Sequence, residues 1–418
     1  MGRRIAQWRV RRNMTQQQFA DRLGKSKSWV DKVERGVRRL ERVSNLREVA
    51  DTLRIDLEVL LTARPVRPDP VATGVEGIRT ALARYRLRGS TRPPLIEELR
   101  ARLAHAEQSY RHARYPTLLA VLPDLLDAAR EAQAARPGFT TDALLVSVYG
   151  LTALVLVKVD QGELAWLAAD RGIAVALATN DAQLAGVATV SLSQALRSQG
   201  RRRSALDAAL VAADRIEGAG DGGGTPAVSS LRGTLLLQAA FAAAAGGDAR
   251  GATRSLDQAA RIARHDGFDG GPAGGSTGPA DGPAGSAGGD SGGWGFGGGG
   301  SSSGWGFGPA AVEAARVVAE AALGGVAAAT VRHERLVVTD EWRWLPPEHR
   351  AACLLDVARA YALVGDMLRA GRTLLEAERT AHGEVHDRPA TRKLVAVAWR
   401  SADVPAGLAH LAATLRVT

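Results

Sequence analysis

A single cysteine, Cys353, stands in 418 residues. Neither an intrachain disulfide nor a zinc site built on cysteine pairs is therefore available, and the pattern suits a reducing compartment. Aromatic residues amount to only 5%, which leaves aliphatic side chains and alanine to fill the core. The longest uncharged apolar runs, 143–157 and 233–247, have 15 residues each, short of the roughly 20 that cross a bilayer. They read as buried helices, and no membrane partner is expected. The basic pair Arg3-Arg4 is not followed by an apolar stretch, so no secretory leader is expected and the reading is cytoplasmic.

Patterns that would carry catalysis are also missing. Gly24-Lys25-Ser26 imitates the end of a phosphate-binding loop but lacks the upstream glycine and the preceding strand. No serine, histidine and aspartate arrangement has the context of a nucleophile elbow, and no paired carboxylates stand out. His382 and His386 lie four apart and can share a helix face, yet no third ligand is recognisable beside them. No enzyme activity, cofactor or metal is therefore expected.

What is present is an uneven charge. The chain carries +10 overall, but residues 1–70 hold 17 Lys or Arg against 9 Asp or Glu, leaving +8 in that sixth and only +2 in the remainder. Phosphate binding is driven by such local excess through counterion release. A two-part protein follows, with a small basic reader of double-stranded DNA and a large, nearly neutral second region.

Within the basic part, TQQQFADRLGKSKSWVDKVERG at 15–36 reads as two short helices joined by a glycine turn. Thr15 is suited to cap the first, Gly24 to supply the turn, and Ser26 to cap the second. Phe19, Ala20 and Leu23 form one apolar face, with Val30 and Val33 opposite. Lys27, Ser28, Asp31 and Lys32 remain outward on the second helix, where they can meet base edges, with Lys25 at the turn and Trp29 beside them.

These residues resemble the XRE family of phage-repressor-like helix-turn-helix regulators, over roughly residues 2–61. The matching features are Thr15-Gln16, Gly24, the helix from Ser26 and Glu34-Arg35-Gly36, with flanking helices expected over 3–12, 44–53 and 56–61. The resemblance implies a five-helix lambda-repressor-like domain in which Lys27, Ser28 and Lys32 enter the major groove. It further implies that Gln16, Gln17 and the pair Arg38-Arg39 approach phosphates, and that Arg9 pairs with Glu34.

Pro65, Pro68 and Pro70 mark a linker over 65–74 after a DNA-binding domain at 1–64. From 75 to 418 the pattern is helical, rich in Ala, Leu and Arg. A spacing recurs: Gly200, Ala205, Ala212; Gly247, Ala252, Ala259; Gly365, Ala370, Ala377; with partial copies from Gly162 and Gly324. Glycine ends one helix, and alanines seven apart let the next lie close. This resembles the tetratricopeptide repeat, whose Gly-Asp start stands at Gly247-Asp248 and Gly365-Asp366, and implies an all-α chain whose second region is a solenoid of helix hairpins.

The segment 266–308 interrupts it: 20 of its 43 residues are glycine and none is Leu, Ile, Val, Lys or Arg. Such a stretch cannot bury enough apolar surface to order itself, so 266–306 is expected to be a disordered insertion. GWGFG occurs at 293–297 and again at 304–308, and Trp305 and Phe307 of the second copy are expected to pack. From 307 to 392, Phe307-Gly308-Pro309, Leu345-Pro346-Pro347-Glu348 and the run 354–361 resemble actinobacterial XRE regulators with tetratricopeptide-like sensor regions.

Taken together, the sequence reads as a transcriptional regulator: a helix-turn-helix domain on DNA, and a repeat region that dimerises and receives a small molecule, peptide or protein. Two alternatives stay open, an interaction scaffold that binds DNA weakly and a peptide-sensing regulator.

Overall fold

The computed structural model describes residues 2–12, 14–38, 40, 43–53, 55, 57, 69–85, 94–218, 225–265, 306–401 and 404–417. All regular structure among them is helical. The chain divides into two compact units, Met1–Asp69 and Pro70–Thr418.

The first unit contains α1 (Gly2–Arg11), α2 (Gln16–Arg22), α3 (Lys27–Glu34) and α4 (Val43–Leu53). Its core buries Phe19 with Ile5, Met14, Leu23, Val30, Val33, Leu46, Val49 and Leu53, and Trp8 and Trp29 pack against it. Thr15 closes a capping box on α2. Its hydroxyl accepts from the Gln18 amide at 3.2 Å, and its own N–H donates to the Gln18 side chain at 2.9 Å. The fifth helix, expected at 56–61, lies outside the described residues except for Leu57, which with Ile55 packs on the same core.

The second unit begins earlier than the proline pattern suggests. Helix α5 (Pro70–Ala83) starts at Pro70, so the expected linker 65–74 is already helical over its last five residues. Proline tolerates the first helical position because its missing N–H has no partner there anyway. The early start also lets Gly74 lie flush on α7 (Tyr115–Ala135), where a Cβ would fall 2.5 Å from that of Leu119.

Helices α6 (Ile96–Arg111), α7, α8 (Phe139–Lys158), α9 (Gly162–Ala178), α10 (Ala182–Ser198), α11 (Arg202–Gly218), α12 (Pro226–Ala245) and α13 (Ala249–His265) follow as a stack, each packed on the next. The two apolar runs noted above fall in α8 and α12, both largely buried within this unit.

At the turns, Gly200, Gly247, Gly324 and Gly365 have φ between +76° and +84°, the left-handed conformation that costs glycine least. Ala205, Ala252, Ala259, Ala370 and Ala377 are at most 1% exposed and Ala212 8%. Ser193 of α10 reaches the Ala205 carbonyl at 3.2 Å, an approach that a larger side chain at such a contact would prevent. Gly162 is not the corresponding marker in its own turn. Asp160 takes the left-handed position with φ +61°, and the buried small residues five and twelve further on are Ala165 and Gly172.

Residues 266–305, with Trp305 and most of the expected insertion, lie outside the described residues. Gly306 is described, with Pro346 against it. Phe307 is 4% exposed in the core around α12 and α13, its ring seated where a Cβ on Gly233 would come within 2.0 Å. Helix α14 (Pro309–Ala322) packs on α12 and α13, so the glycine-rich segment joins helices that remain neighbours.

The chain continues through α15 (Val326–Leu336), α16 (Asp340–Trp344), α17 (Pro347–Leu363), α18 (Met367–Thr380), α19 (His382–His386), α20 (Pro389–Trp399) and α21 (Gly407–Leu415). Cys353 is buried in α17, and burial pushes its thiol up, which fits a packing role.

These last helices return to the first. Lys158 at the end of α8 bonds Glu348 of α17, and its ammonium lies 2.9 Å from Glu384 of α19. Glu384, 0% exposed, also accepts from Tyr115 of α7 and from Arg388. Burial alone would raise the Glu384 carboxyl, but Lys158, Arg388 and the Tyr115 hydroxyl hold it at about 2. Burial and then Glu384 push the Tyr115 hydroxyl well above its usual range, so it stays a donor.

Removing one partner of a buried, hydrogen-bonded charge set strands the others in low dielectric. Lys158→Met is expected to cost about 3–5 kcal/mol of stability, against at most about 0.5 kcal/mol for Arg100→Met at an exposed pair. Chemical denaturation of both variants checks this, and similar midpoints would contradict it.

Glu107 of α6 is only 6% exposed, and its Oε2 has no hydrogen-bond partner. Burial, partly offset by Arg111, pushes the carboxyl up from 4.5 to about 8. The folded state therefore holds a proton that the unfolded chain releases, and stability falls as pH rises from about 4.5 through about 8. Glu107→Gln is expected to remove that part of the slope and to raise the urea midpoint at pH 8 but not at pH 4. Parallel profiles for the two proteins would contradict it.

Candidate nucleic-acid interface

Helix α3 is held by its ends and its inner face. The Ser26 hydroxyl accepts from the Trp29 amide at 3.2 Å, fixing the first turn. Gly24, at φ +60°, brings the chain round from α2. Val30 and Val33 enter the core, and Glu34 joins them at 8% exposure.

A carboxylate so buried needs donors, and it has three. Arg9 of α1 gives Nε to Oε1 at 2.6 Å and Nη2 to Oε2 at 3.1 Å, while Gln16 of α2 gives Nε2 to Oε2 at 2.8 Å. A third nitrogen of Arg9 donates to the Met14 carbonyl at 2.7 Å. One charge pair thus ties both preceding helices to the end of α3.

The opposite face is left to solvent. Lys27, Ser28 and Lys32 are exposed along α3, with Lys25 exposed at the turn. Asp31 is half-buried and pairs with Arg35 one turn on, so the outer face offers two uncommitted ammonium groups, a hydroxyl and a neutralised carboxylate. Trp29 is half-buried and packs on the core of the unit, a placement that supports the helix from its side.

Around this face, Gln17 is exposed and donates to Asp21 at 2.7 Å. Arg38 is exposed, and its backbone N–H donates to the Lys32 carbonyl at 3.0 Å. Arg39 lies outside the described residues. Gln16, expected to approach phosphate, has one of its amide protons committed inward to Glu34. Local spacing could not show this, since the two residues are 18 apart.

Two further clusters lie in the second unit. A cleft of about 540 Å³ over α14 and α15 is lined by Glu313, Val331, Arg332, Arg335 and Thr339. One of its two cations is already satisfied, for Arg332 pairs with Glu313 at 2.8 Å and Glu320 at 2.9 Å. The other cluster is Glu378 with His382 and His386. Glu378 closes the preceding helix α18, which ends at Thr380, and the extended backbone of Ala381 separates it from His382 on α19, so no helical spacing in the sequence marks it as a third member.

Residues 1–62 match the family model described as a helix-turn-helix domain. No curated protein matches the chain. Among solved structures, that of Bacillus thuringiensis PlcR in complex with the peptide PapR7 and DNA is similar at 12% identity, over 63% of this chain and 94% of that one, with a TM-score of 0.29. Aspartyl phosphate phosphatase F from Bacillus subtilis is similar at 13% identity, over 91% of this chain and 93% of that one, with a TM-score of 0.43.

The Arg9 and Glu34 side chains are 12% and 6% exposed, so losing either leaves a buried charge. Arg9→Met is expected to lower the stability of the first unit by about 3–5 kcal/mol. Arg35→Met, at an exposed pair, should cost no more than about 1 kcal/mol. Amide hydrogen exchange over residues 2–53 reads this unit separately, and equal protection in the two variants would contradict the role given to the pair.

Proposed function

We propose that the protein is a sequence-specific DNA-binding regulator of the XRE type, reading duplex DNA with α3. The observation that carries this is the division of α3 itself. Its inner face is locked by Val30, Val33 and the Glu34 cluster, while Lys27, Ser28 and Lys32 stand free on the outer face of the most basic part of the chain. The helix-turn-helix match over residues 1–62 supports it.

In this reading Lys27, Ser28 and Lys32 enter the major groove, and Lys25, Gln17, Arg38 and Arg39 approach phosphates. Gln16 keeps one amide proton for a phosphate while the other holds Glu34. Trp29 sets the side-to-side position of the helix. The second unit receives a small molecule, peptide or protein partner and pairs two copies, since one recognition helix covers only a few base pairs.

Affinity for DNA should fall as salt rises, with a slope of log K against log salt of about 0.9 per phosphate neutralised. Lys27→Ala and Lys32→Ala should each weaken a preferred site by about 1–3 kcal/mol and random duplex by less. Fluorescence anisotropy with the full chain measures both effects. A flat salt response, or equal losses on every sequence, would contradict base reading by these lysines. Sedimentation should find a dimer, and a monomer that holds its site tightly would overturn the pairing.

A further inference from the structure

We propose that Glu378, His382 and His386 form a binding site for a borderline divalent metal ion, with Zn²⁺ the representative case. The three residues lie at the junction of α18 and α19, four residues apart in succession. One ligand atom from each can be chosen so that all lie within 4.8 Å of one another. His386 Nε2 is already 2.9 Å from Glu378 Oε1. The rings of His382 and His386 stack with centroids 3.7 Å apart and planes 17° from parallel.

Two imidazoles and a carboxylate are a donor set that suits zinc, whose open sites take three protein ligands and a solvent molecule. With metal–ligand bonds near 2.0–2.1 Å, ligand atoms of a tetrahedral site stand about 3.3 Å apart. His382 is exposed and Glu378 half-buried, so both can turn to close the remaining distance. A cation on this set would replace the present His386–Glu378 hydrogen bond with a bond from each residue to the ion. With nitrogen supplying two of three donors, the hard ions Mg²⁺ and Ca²⁺ fit poorly.

His386 is 13% and Glu378 25% exposed in their side chains, which shields the set from bulk solvent without closing it.

The run His382-Gly383-Glu384-Val385-His386 also separates this site from hydrolytic zinc helices, in which a glutamate follows the first histidine directly and serves as base. Here the glutamate comes one residue later and is fully buried with Lys158, Tyr115 and Arg388. The short helix thus presents metal ligands on one side while its other side is anchored in the core. The site is one for binding an ion, independent of the DNA-reading proposal.

Isothermal titration of the tag-free full-length protein with ZnCl₂ tests the site. One ion per chain is expected, together with a rise in thermal midpoint that MgCl₂ at the same concentration does not give. His382→Asn and Glu378→Gln should each weaken binding by at least about tenfold and abolish the thermal shift. His410→Ala, an exposed histidine on α21, should leave both unchanged. His382 is exposed, so a folded His382→Asn protein, verified by circular dichroism, keeps the comparison meaningful even if Glu378→Gln unfolds. Wild-type protein that takes up no Zn²⁺, or uptake that survives His382→Asn undiminished, would overturn the proposal.

Discussion

The carboxylate of Glu34 is the constraint on which the placement of α3 depends. It lies at the end of a helix of eight residues, too short to hold itself by its own hydrogen bonds. The position of that helix must come from outside. Three hydrogen bonds from Arg9 and Gln16 reach the carboxylate from α1 and α2, and Val30 and Val33 add the apolar contact. The side chains that would meet DNA are then on the face that none of these interactions uses. In the proposed reading, stability and recognition occupy opposite sides of one helix, which lets the outer side vary without loosening the inner one.

The second unit solves a different problem. Helices that touch only their neighbours along a stack leave the stack open to bending, and each turn contributes only locally. Here Lys158, Glu348, Glu384, Arg388 and Tyr115 connect α7 and α8 to α17, α19 and the turn after it, across separations of up to 269 residues. A buried ionic set is a costly way to gain stability, but it admits few alternative pairings. It therefore fixes which helices meet when the chain returns, and it leaves α19 with one side in the core and the other toward solvent.

What could be read from sequence was what short range decides. Thr15 and Ser26 as caps, Gly24 as the turn, and Phe19, Leu23, Val30 and Val33 as core follow from residues within one or two helical turns. The buried alanines after Gly200, Gly247 and Gly365 were legible for the same reason, because small residues at a fixed distance from a turn have a geometric cause. Phe307 was legible as an aromatic entering a helix start, and it seats on Gly233. Asp160 was not, because a carboxamide or carboxylate side chain can also adopt the left-handed turn and glycine spacing does not count it. The helical start at Pro70 was hidden by reading proline only as a breaker. Neither the bond from Gln16 to Glu34 nor the set around Glu384 has a local signal, for each joins residues that only the fold brings together.

The most direct measurement of the central claim is selection of duplex DNA from a random pool by the full-length protein, followed by sequencing of what is retained. The account predicts enrichment of one recurring element, arranged as an inverted repeat whose arms lie about 34 Å apart or a multiple of that distance. A retained pool indistinguishable in sequence from the input would contradict it, leaving the basic unit as an electrostatic anchor without base reading.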